Sequence, residues 1–161
     1  RSQKVAIALL SVMKKAGLKV GILGAEEACC GDAAMRGGNE YLFHSLATQN
    51  LETFKAYGIK KIITTCPHGY NMLKKEYASF AKVGVGSDGN PLEYNIEVYH
   101  HTEVLDELIK SGKIKLKEAL NETITYHDSC FLGRYNEIYE QPRNVIKAIP
   151  GTNLVEMSRN Y

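Results

Sequence analysis

The sequence has neither a large excess of one charge nor a long apolar run. Lys and Arg (20) nearly balance Asp and Glu (18), and the formal net charge of +2 is too small to indicate a nucleic-acid surface. No apolar run approaches the roughly 20 residues that span a bilayer, and the start, RSQK, lacks the layout of a signal peptide. We therefore expect no nucleic-acid partner and no membrane segment in this chain.

Cysteine is scarce, and the four cysteines do not suggest a disulfide framework. Cys29 and Cys30 are adjacent, whereas Cys66 and Cys130 are widely spaced. Neighbouring cysteines bridge to each other only through a strained ring, so the spacing favours a reducing compartment, and we expect a cytoplasmic location. In such a compartment, clustered thiols indicate metal, cluster or redox chemistry.

The order of predicted helices and strands indicates the fold class. Apolar residues at helical spacing alternate with short β-rich runs, which predicts an α/β fold with a mainly parallel sheet and flanking helices. The 161 residues suffice for one domain or for two small halves that share a core. Helices are predicted over 3–16, 42–57, 70–80, 102–111 and 142–149, and strands over 19–23, 59–65, 96–99, 123–127 and 153–157.

Each cysteine loop follows a predicted strand. Cys29 and Cys30 come shortly after one strand. Cys66 directly follows a second strand, and Cys130 comes just after a third. In open α/β sheets, ligands bind in the crevice beyond the carboxyl ends of the strands. The sequence therefore predicts cysteine loops at the C-terminal ends of strands, where they would converge on a ligand.

Several segments together resemble the CCG-type cysteine-rich domain family: EEACCGD, TTCPHGYNMLKKEY, HHTE and YHDSCFLGRYNEIYEQPR. The resemblance covers nearly the whole chain. Members of this family are similar to the B subunit of heterodisulfide reductase and to the iron–sulfur subunits of glycerol-3-phosphate, lactate and glycolate oxidation systems. The resemblance implies a motif that occurs twice: a cysteine, a gap of roughly 31 to 39 residues, Cys-Cys, a gap of about 35 residues and Cys-x-x-Cys. In this family the thiolates of these loops bridge a multi-iron centre.

The cysteine spacing fits part of this implied pattern. Residues 31–65 separate Cys30 from Cys66, a gap of 35 residues that matches the second part of the first copy. Cys130 takes the place of the opening cysteine of the second copy, whose Cys-Cys pair would begin at roughly position 162 to 170. We therefore expect both ends of the chain to be cuts through a longer protein.

The same resemblance implies two pseudo-repeated halves. The first half is predicted over 1–82 and lacks its opening cysteine. A loop is predicted over 83–95, where glycine and turn-forming residues are frequent. The second half is predicted over 96–161 and is truncated before its Cys-Cys-Gly.

One position departs from the family pattern. Where the family has Cys-Pro-x-Cys, this sequence has Cys66-Pro67-His68-Gly69, so the last thiolate is absent. His68 could substitute as a nitrogen ligand, because imidazole replaces thiolate in some iron–sulfur centres. The site could otherwise use fewer protein ligands, hold a different metal or be vestigial.

Purely structural roles compete with these functional ones. Free cysteines are often small buried residues of a core. Gly31 favours the ligand interpretation, because it lets the backbone turn tightly and aim the sulfurs of Cys29 and Cys30 inward. A structural role is the favoured interpretation for several other residues near these loops: Arg36, His100, His101, Arg134, Tyr135 and Tyr139.

The sequence thus predicts an iron–sulfur electron-transfer subunit or domain of an oxidoreductase, similar to heterodisulfide reductase. Cys29, Cys30, Cys66 and Cys130, with His68 as a further candidate, would hold a 4Fe–4S cluster of cubane or non-cubane type. The expected partners are ferredoxin-like or flavoprotein modules, and electrons would pass to a quinone, a disulfide or a flavoprotein. Any contact with the cytoplasmic face of a membrane would come from segments outside this chain.

Two alternatives stay open at this point. A zinc-stabilised structural or docking module would also retain such loops, because zinc takes four Cys or Cys/His ligands. A thiol–disulfide enzyme that uses Cys29 and Cys30 ranks below both, because the sequence has no Cys-x-x-Cys motif.

Overall fold

The computed structural model describes residues 2–159, in which helices form most of the regular structure. The helices are α1 (Ser2–Lys15), α2 (Asp32–Arg36), α3 (Glu40–Ala56), α4 (Pro67–Asn71), α5 (Tyr77–Ala81), α6 (His101–Lys110) and α7 (Glu140–Lys147), with a 3-10 turn at Gly24–Glu26 and a π-helical segment at Met72–Glu76. None of these described helices has both the length and the apolarity that a membrane crossing requires. The strands are β1 (Lys61–Thr64), β2 (Glu97–His100), β3 (Thr123–Ile124) and β4 (Asn153–Leu154).

The strands form two small parallel sheets. β1 pairs with β2, with Lys61 opposite Glu97 at the start of the ladder. β3 pairs with β4, with Thr123 opposite Asn153. Parallel neighbours need a crossover connection, and the chain between β1 and β2 supplies one through α4 and α5. The chain is therefore broadly α/β with parallel pairing, as the sequence predicts.

Packing divides the described residues into two units. The first, here called the cysteine unit, contains all four cysteines together with β1 and β2. It consists of Ala25–His101 and Asp128–Ile138. The second unit contains β3 and β4 and consists of residues 2–24, 102–127 and 139–159.

The two halves predicted from the cysteine pattern differ from these two packing units. The pattern assigns residues 1–82 to one motif repeat and residues 96–161 to the other. The segment between them, 83–95, is irregular, and a single bridge between Val85 and Pro91 closes a turn within it. Packing does not test a motif repeat, so the halves and the pseudo-repeat stay predictions.

The core of the cysteine unit is built from α3 and from the helix that follows Cys66. α3 begins after Asn39, whose side chain caps the helix by accepting the Leu42 N–H at 3.0 Å. Its apolar face packs against aromatic rings, because helical spacing places its large side chains on one side. The buried residues are Phe43, Ala47, Leu51 and Phe54 on α3, and Tyr70, Met72, Tyr77 and Phe80 on the following helix.

The helix after Cys66 runs without a break from Pro67 to Ala81. Pro67 occupies its first position, where the missing N–H would have no partner within the helix. The middle of this helix, Met72–Glu76, is π-helical, a form that is frequent at functional sites. The helix predicted over 70–80 is confirmed, and it begins earlier than predicted.

The strand predicted over 19–23 is wrong. This segment is irregular, and Val20 and Ile22 are exposed. A strand needs neighbours for its N–H and C=O groups, and within the described part of the chain no strand pairs with this segment. For the same reason, the strands predicted over 123–127 and 153–157 are limited to the two residues of each that pair with each other.

A partly buried ion pair between Arg143 and Glu156 stabilises the second unit. Arg143 on α7 is buried, and its Nε donates to Oε1 of Glu156 at 2.8 Å while its Nη2 donates to Oε2 at 3.1 Å. Two parallel hydrogen bonds fix the geometry of such a pair more firmly than one. The pair therefore connects α7 to the segment after β4.

Candidate functional site

The Cys29–Cys30 pair ends in a tight turn at Gly31. Gly31 has a φ of +82°, a left-handed conformation that favours glycine, and its N–H lies 3.4 Å from Sγ of Cys29. A Cβ atom at this position would lie 2.9 Å from Cδ2 of the buried Phe43. Both the backbone angle and the close approach therefore require glycine beside the cysteine pair.

A buried hydrogen-bond network holds the main chain of the same pair. The Nδ2 of Asn50 donates to the Cys29 carbonyl at 2.9 Å and to the Tyr77 hydroxyl at 2.9 Å. The Tyr77 hydroxyl donates to the Cys30 carbonyl at 3.1 Å. Asn50 is 5% exposed and Tyr77 is fully buried. The carbonyls of both cysteines are thus bonded to side chains from the core.

Cys66 lies between β1 and the helix that begins at Pro67. Its N–H donates to Oγ1 of Thr64 at 3.1 Å, and its carbonyl accepts the N–H of Tyr70 at 2.8 Å. The thiol itself is exposed. A Cβ atom at Gly69 would lie 3.6 Å from Cβ of Cys66, an ordinary contact distance, so the structure has room for the cysteine that the family pattern places there.

Cys130 lies in the loop 128–138, which is anchored in the cysteine unit by buried apolar side chains. Leu132 and Ile138 are both buried. The Nδ2 of Asn136 donates to the Phe131 carbonyl at 2.6 Å and to Oδ1 of Asn71 at 3.1 Å, which joins this loop to α4. The Cys130 thiol is exposed.

Four side chains connect the three cysteine loops, and we call them the linking cluster: Asp32, Arg36, His68 and Phe131. Asp32 pairs with Nε of Arg36 through Oδ1 at 2.9 Å and with Nδ1 of His68 through Oδ2 at 2.9 Å. The ring of Phe131, next to Cys130, lies 4.1 Å from the His68 ring and 4.3 Å from the Arg36 guanidinium carbon. These side chains link the loops of Cys29–Cys30, Cys66 and Cys130. The prediction that every cysteine loop follows a strand is not confirmed, because the segment before Cys29 is irregular and, of the three loops, only that of Cys66 closely follows a described strand.

The cysteine thiols are unpaired, and three of them interact electrostatically. Burial raises the pKa of the half-buried Cys30 thiol above its ordinary value, although a backbone hydrogen bond from Asp32 opposes the rise. The charges of Cys29 and Cys66 raise the same pKa further. Thiols must lose their protons to bind metal, so loading this site would release protons.

Thiolate sulfur is a ligand of iron–sulfur groups and of zinc alike. Within residues 2–159, no three His, Cys, Asp or Glu side chains lie close enough together to hold one metal ion. A cluster of several irons spreads its thiolates apart, because each iron takes its own ligand. Four unpaired thiols on three linked loops suit that requirement.

The structure favours the structural role that the sequence predicts for His100 and His101. They lie where β2 ends and α6 begins, with ring centroids 4.3 Å apart, and His100 is 2% exposed. Burial lowers the pKa of His100 to about 4, with a further decrease from the charge of His101, and burial also lowers the pKa of His101. Both imidazoles are therefore neutral at physiological pH and pack within the protein.

Sequence reasoning missed five residues of this site: Asp32, Arg36, Asn50, Tyr77 and Phe131. Arg36 is expected to be an ordinary surface residue, yet it pairs with Asp32 and stacks on a ring. Asn50 and Tyr77 are not singled out by any motif. The available signal for Asn50 is an amide on the otherwise apolar face of α3, because a buried amide needs hydrogen-bond partners.

Most of the chain matches a known family of protein domains. The family CCG, described as a cysteine-rich domain, matches residues 1–74 and 124–160. The chain belongs to this family. The matched regions include all four cysteines and the whole linking cluster. No solved structure matches the sequence.

Several relatives of this CCG domain are named as redox proteins. The chain is 50% identical over 160 residues to “Probable iron-sulfur-binding oxidoreductase FadF” of Bacillus subtilis, covering 99% of this chain and 21% of that protein. It is 51% identical over 151 residues to “EtfAB:quinone oxidoreductase” of Syntrophomonas wolfei, covering 94% and 20%. It is 37% identical over 158 residues to the D subunit of “Dihydromethanophenazine:CoB--CoM heterodisulfide reductase” of Methanosarcina mazei, covering 96% and 36%. The CCG domain thus spans about a fifth of the first two relatives and about a third of the last.

Proposed function

We propose that this chain is an iron–sulfur electron-transfer domain of an oxidoreductase. Cys29, Cys30, Cys66 and Cys130 supply the thiolates. The observation that carries the proposal is that one cluster of side chains links the three loops that bear these cysteines, all with unpaired thiols. The relatives named as iron–sulfur or heterodisulfide-reducing proteins support the same conclusion.

The cofactor we propose is a 4Fe–4S cluster of cubane or non-cubane type, which when bound would supply one-electron transfer. The chain's own part is to hold the thiolates, to donate hydrogen bonds to sulfur and to balance charge. The Gly31 N–H is placed for the second task, at 3.4 Å from Sγ of Cys29. Arg36 brings a positive charge to the carboxylate of Asp32, two residues after Cys30, for the third.

We propose His68 as a further nitrogen ligand where the family's last thiolate is absent. Its Nδ1 is paired with the Asp32 carboxylate, which leaves Nε2 for coordination. Metal-binding histidines usually place their other ring nitrogen against a carboxylate, which fixes the tautomer and the orientation of the ring. The Asp32–His68 pair has this form.

The partners we propose are redox modules of the same protein or complex. Two relatives have names that include a quinone and a heterodisulfide, which supports electron transfer to a quinone, a disulfide or a flavoprotein, with ferredoxin-like or flavoprotein donors. One relative is named “Probable membrane-anchored ferredoxin”, which supports membrane attachment through segments other than this domain. Four unpaired thiols support a reducing, cytoplasmic setting.

Metal analysis tests the proposal. The protein that carries this chain is purified without oxygen, and iron, acid-labile sulfide and zinc are measured per chain. We expect iron and sulfide in similar amounts, and a lower content of both in the Cys66→Ser and Cys130→Ser variants. Ser129→Ala, beside Cys130, is the matched control and should keep its iron. Zinc without iron or sulfide would overturn the proposal.

A further inference from the structure

We infer that Asn50 and Tyr77 are positioning residues that aim a hydrogen bond at the sulfur of Cys29 and so set the redox potential of the bound cluster. This inference rests on the proposed function. It concerns two side chains in the core that hydrogen-bond to the main-chain carbonyls of the cysteine pair. They act through the main chain of the Cys29–Cys30–Gly31 turn.

The hydrogen bonds form a directed chain that ends on the cysteine pair. Asn50 has two N–H groups, and one donates to the Cys29 carbonyl while the other donates to the Tyr77 hydroxyl, both at 2.9 Å. The Tyr77 hydroxyl keeps its own proton for the Cys30 carbonyl at 3.1 Å. Both N–H groups of Asn50 and the O–H group of Tyr77 are thus used as donors. The carbonyls of Cys29 and Cys30 each accept one of these hydrogen bonds. Such a network is more rigid than a single contact.

The peptide plane carries the effect from Tyr77 to sulfur. The Cys30 carbonyl and the Gly31 N–H belong to the same peptide unit, which is planar, so the two groups point in opposite directions. Tyr77 fixes the carbonyl, and this fixes the direction of the N–H. That N–H lies 3.4 Å from Sγ of Cys29. Rotation of this one plane would break both hydrogen bonds together.

The surroundings of Tyr77 keep its hydroxyl in place and protonated. Its ring is fully buried, with the Phe43 ring edge-on at a centroid distance of 6.2 Å and the Tyr94 ring at 6.4 Å. Burial raises the pKa of Tyr77 well above the ordinary value of 10.0, so the phenol stays a donor at physiological pH. Without its OH group, Tyr77 would still pack, but it would no longer hold the peptide plane.

The consequence for redox chemistry has a definite sign. An N–H directed at a ligand sulfur favours the more negative, reduced state of an iron–sulfur cluster and therefore raises its potential. Losing the Tyr77 hydroxyl frees the Cys30–Gly31 peptide to turn. The hydrogen bond to the Cys29 sulfur then weakens, and the potential falls.

The deciding variant is Tyr77→Phe, which keeps the buried ring and removes only the hydroxyl. Its matched control is Tyr94→Phe, because Tyr94 is a half-buried phenol of the same cysteine unit, but its hydroxyl donates to the Leu73 carbonyl. Asn50→Leu is a second test, because it removes the donor at the start of the hydrogen-bond network. The midpoint potential and the electron paramagnetic resonance spectrum are compared in the anaerobically purified full protein, with iron content and circular dichroism as checks on loading and folding.

We expect Tyr77→Phe to keep its iron, to shift the potential to more negative values and to change the spectrum, and Tyr94→Phe to match the wild type. A Tyr77→Phe protein with iron, unchanged potential and unchanged spectrum would overturn the inference. An equal shift in both variants would overturn it as well, since the effect would then be a general loss of packing. If Asn50→Leu fails to fold, Tyr77→Phe alone decides.

A second readout needs no cluster. In the metal-free protein, alkylation of Cys30 is followed by mass spectrometry at fixed pH. We expect several-fold faster alkylation in Tyr77→Phe than in wild type or Tyr94→Phe, because the turn that half-buries Cys30 is released. Unchanged rates would contradict the positioning role. Should the wild type contain no iron, the proposed function fails by itself, and these rates still decide whether the two residues hold the turn.

Discussion

Asp32 Oδ2 lies 2.9 Å from Nδ1 of His68, a residue 36 positions away in the sequence. The contact joins the loop of Cys29 and Cys30 to the loop of Cys66. The same carboxylate pairs with Arg36 on the next turn of helix. A single acidic side chain thus links two of the cysteine loops.

Replacing Asp32 with Asn should affect metal retention far more than stability. Both of its side-chain contacts are partly exposed, with His68 49% and Arg36 40% exposed at the side chain, and exposed contacts of this kind contribute only about 0.2–1 kcal/mol each. We expect a small change in the free energy of unfolding but a faster loss of iron to a chelator. Asp88→Asn, in a turn elsewhere in the cysteine unit, is the control. Equal chelation rates in both variants would contradict the role of Asp32.

The Gly31→Ala substitution should destabilise the protein through two separate effects. A left-handed φ costs a residue with Cβ about 1–2 kcal/mol, and the contact of 2.9 Å with the Phe43 ring adds the cost of overpacking, about 1–3 kcal/mol. Gly38→Ala is a matched control, because Gly38 has a φ of +76° but nothing within 4 Å of its Cβ position. Denaturant unfolding should show the larger loss for Gly31→Ala. Equal losses would mean that the ring contact is unimportant.

Adding the thiolate that the family pattern places at position 69 should be tolerated. The Cβ of Gly69→Cys would lie 3.6 Å from Cβ of Cys66, which is also within the range for a disulfide. We expect the metal-free variant to form a disulfide between Cys66 and the introduced thiol on oxidation, detected by mass spectrometry. The reduced variant should bind at least as much iron as the wild type. Gly69→Ser, which adds the same Cβ without sulfur, controls for folding. A variant that folds but never forms the disulfide would contradict this geometry.

Alkaline pH should destabilise the metal-free protein. Burial raises the pKa of Tyr77 and of Tyr94 above the ordinary value of 10.0. The folded state therefore keeps protons that the unfolded state loses, so stability is complete below about pH 9 and falls as the pH rises past about 10. Denaturant midpoints across this range should fall less steeply in Tyr94→Phe than in the control Tyr41→Phe, which changes an exposed ring. An equally steep fall of the midpoint in both variants would contradict the raised pKa of Tyr94.

The secondary structure around the site was largely predictable, because it depends on local patterns. The apolar spacing from Leu42 onward predicts α3, and the cap by Asn39 explains its start. The β-rich run before Cys66 predicts β1 and its position directly before a cysteine. The failed strand at 19–23 shows the limit, since apolar residues form a strand only where a neighbouring strand accepts their hydrogen bonds.

The contacts that assemble the site could not be predicted in this way. Asp32 and His68 are distant in the sequence, and neither has a motif that names the other as its partner. The bonds from Asn50 and Tyr77 to the cysteine carbonyls depend on how α3 and α5 pack, which the sequence pattern does not specify. The cysteine spacing identified the candidate ligands, whereas the structure identified the side chains that hold their loops.

The low-temperature electron paramagnetic resonance spectrum of the anaerobically purified protein, recorded before and after reduction, tests the central claim most directly. We predict an iron–sulfur signal that appears or disappears with reduction, of which one component is lost in the Cys66→Ser variant, whereas Ser129→Ala retains every component. A protein that folds, carries all four free thiols and shows no redox-dependent iron–sulfur signal in either state would contradict the account.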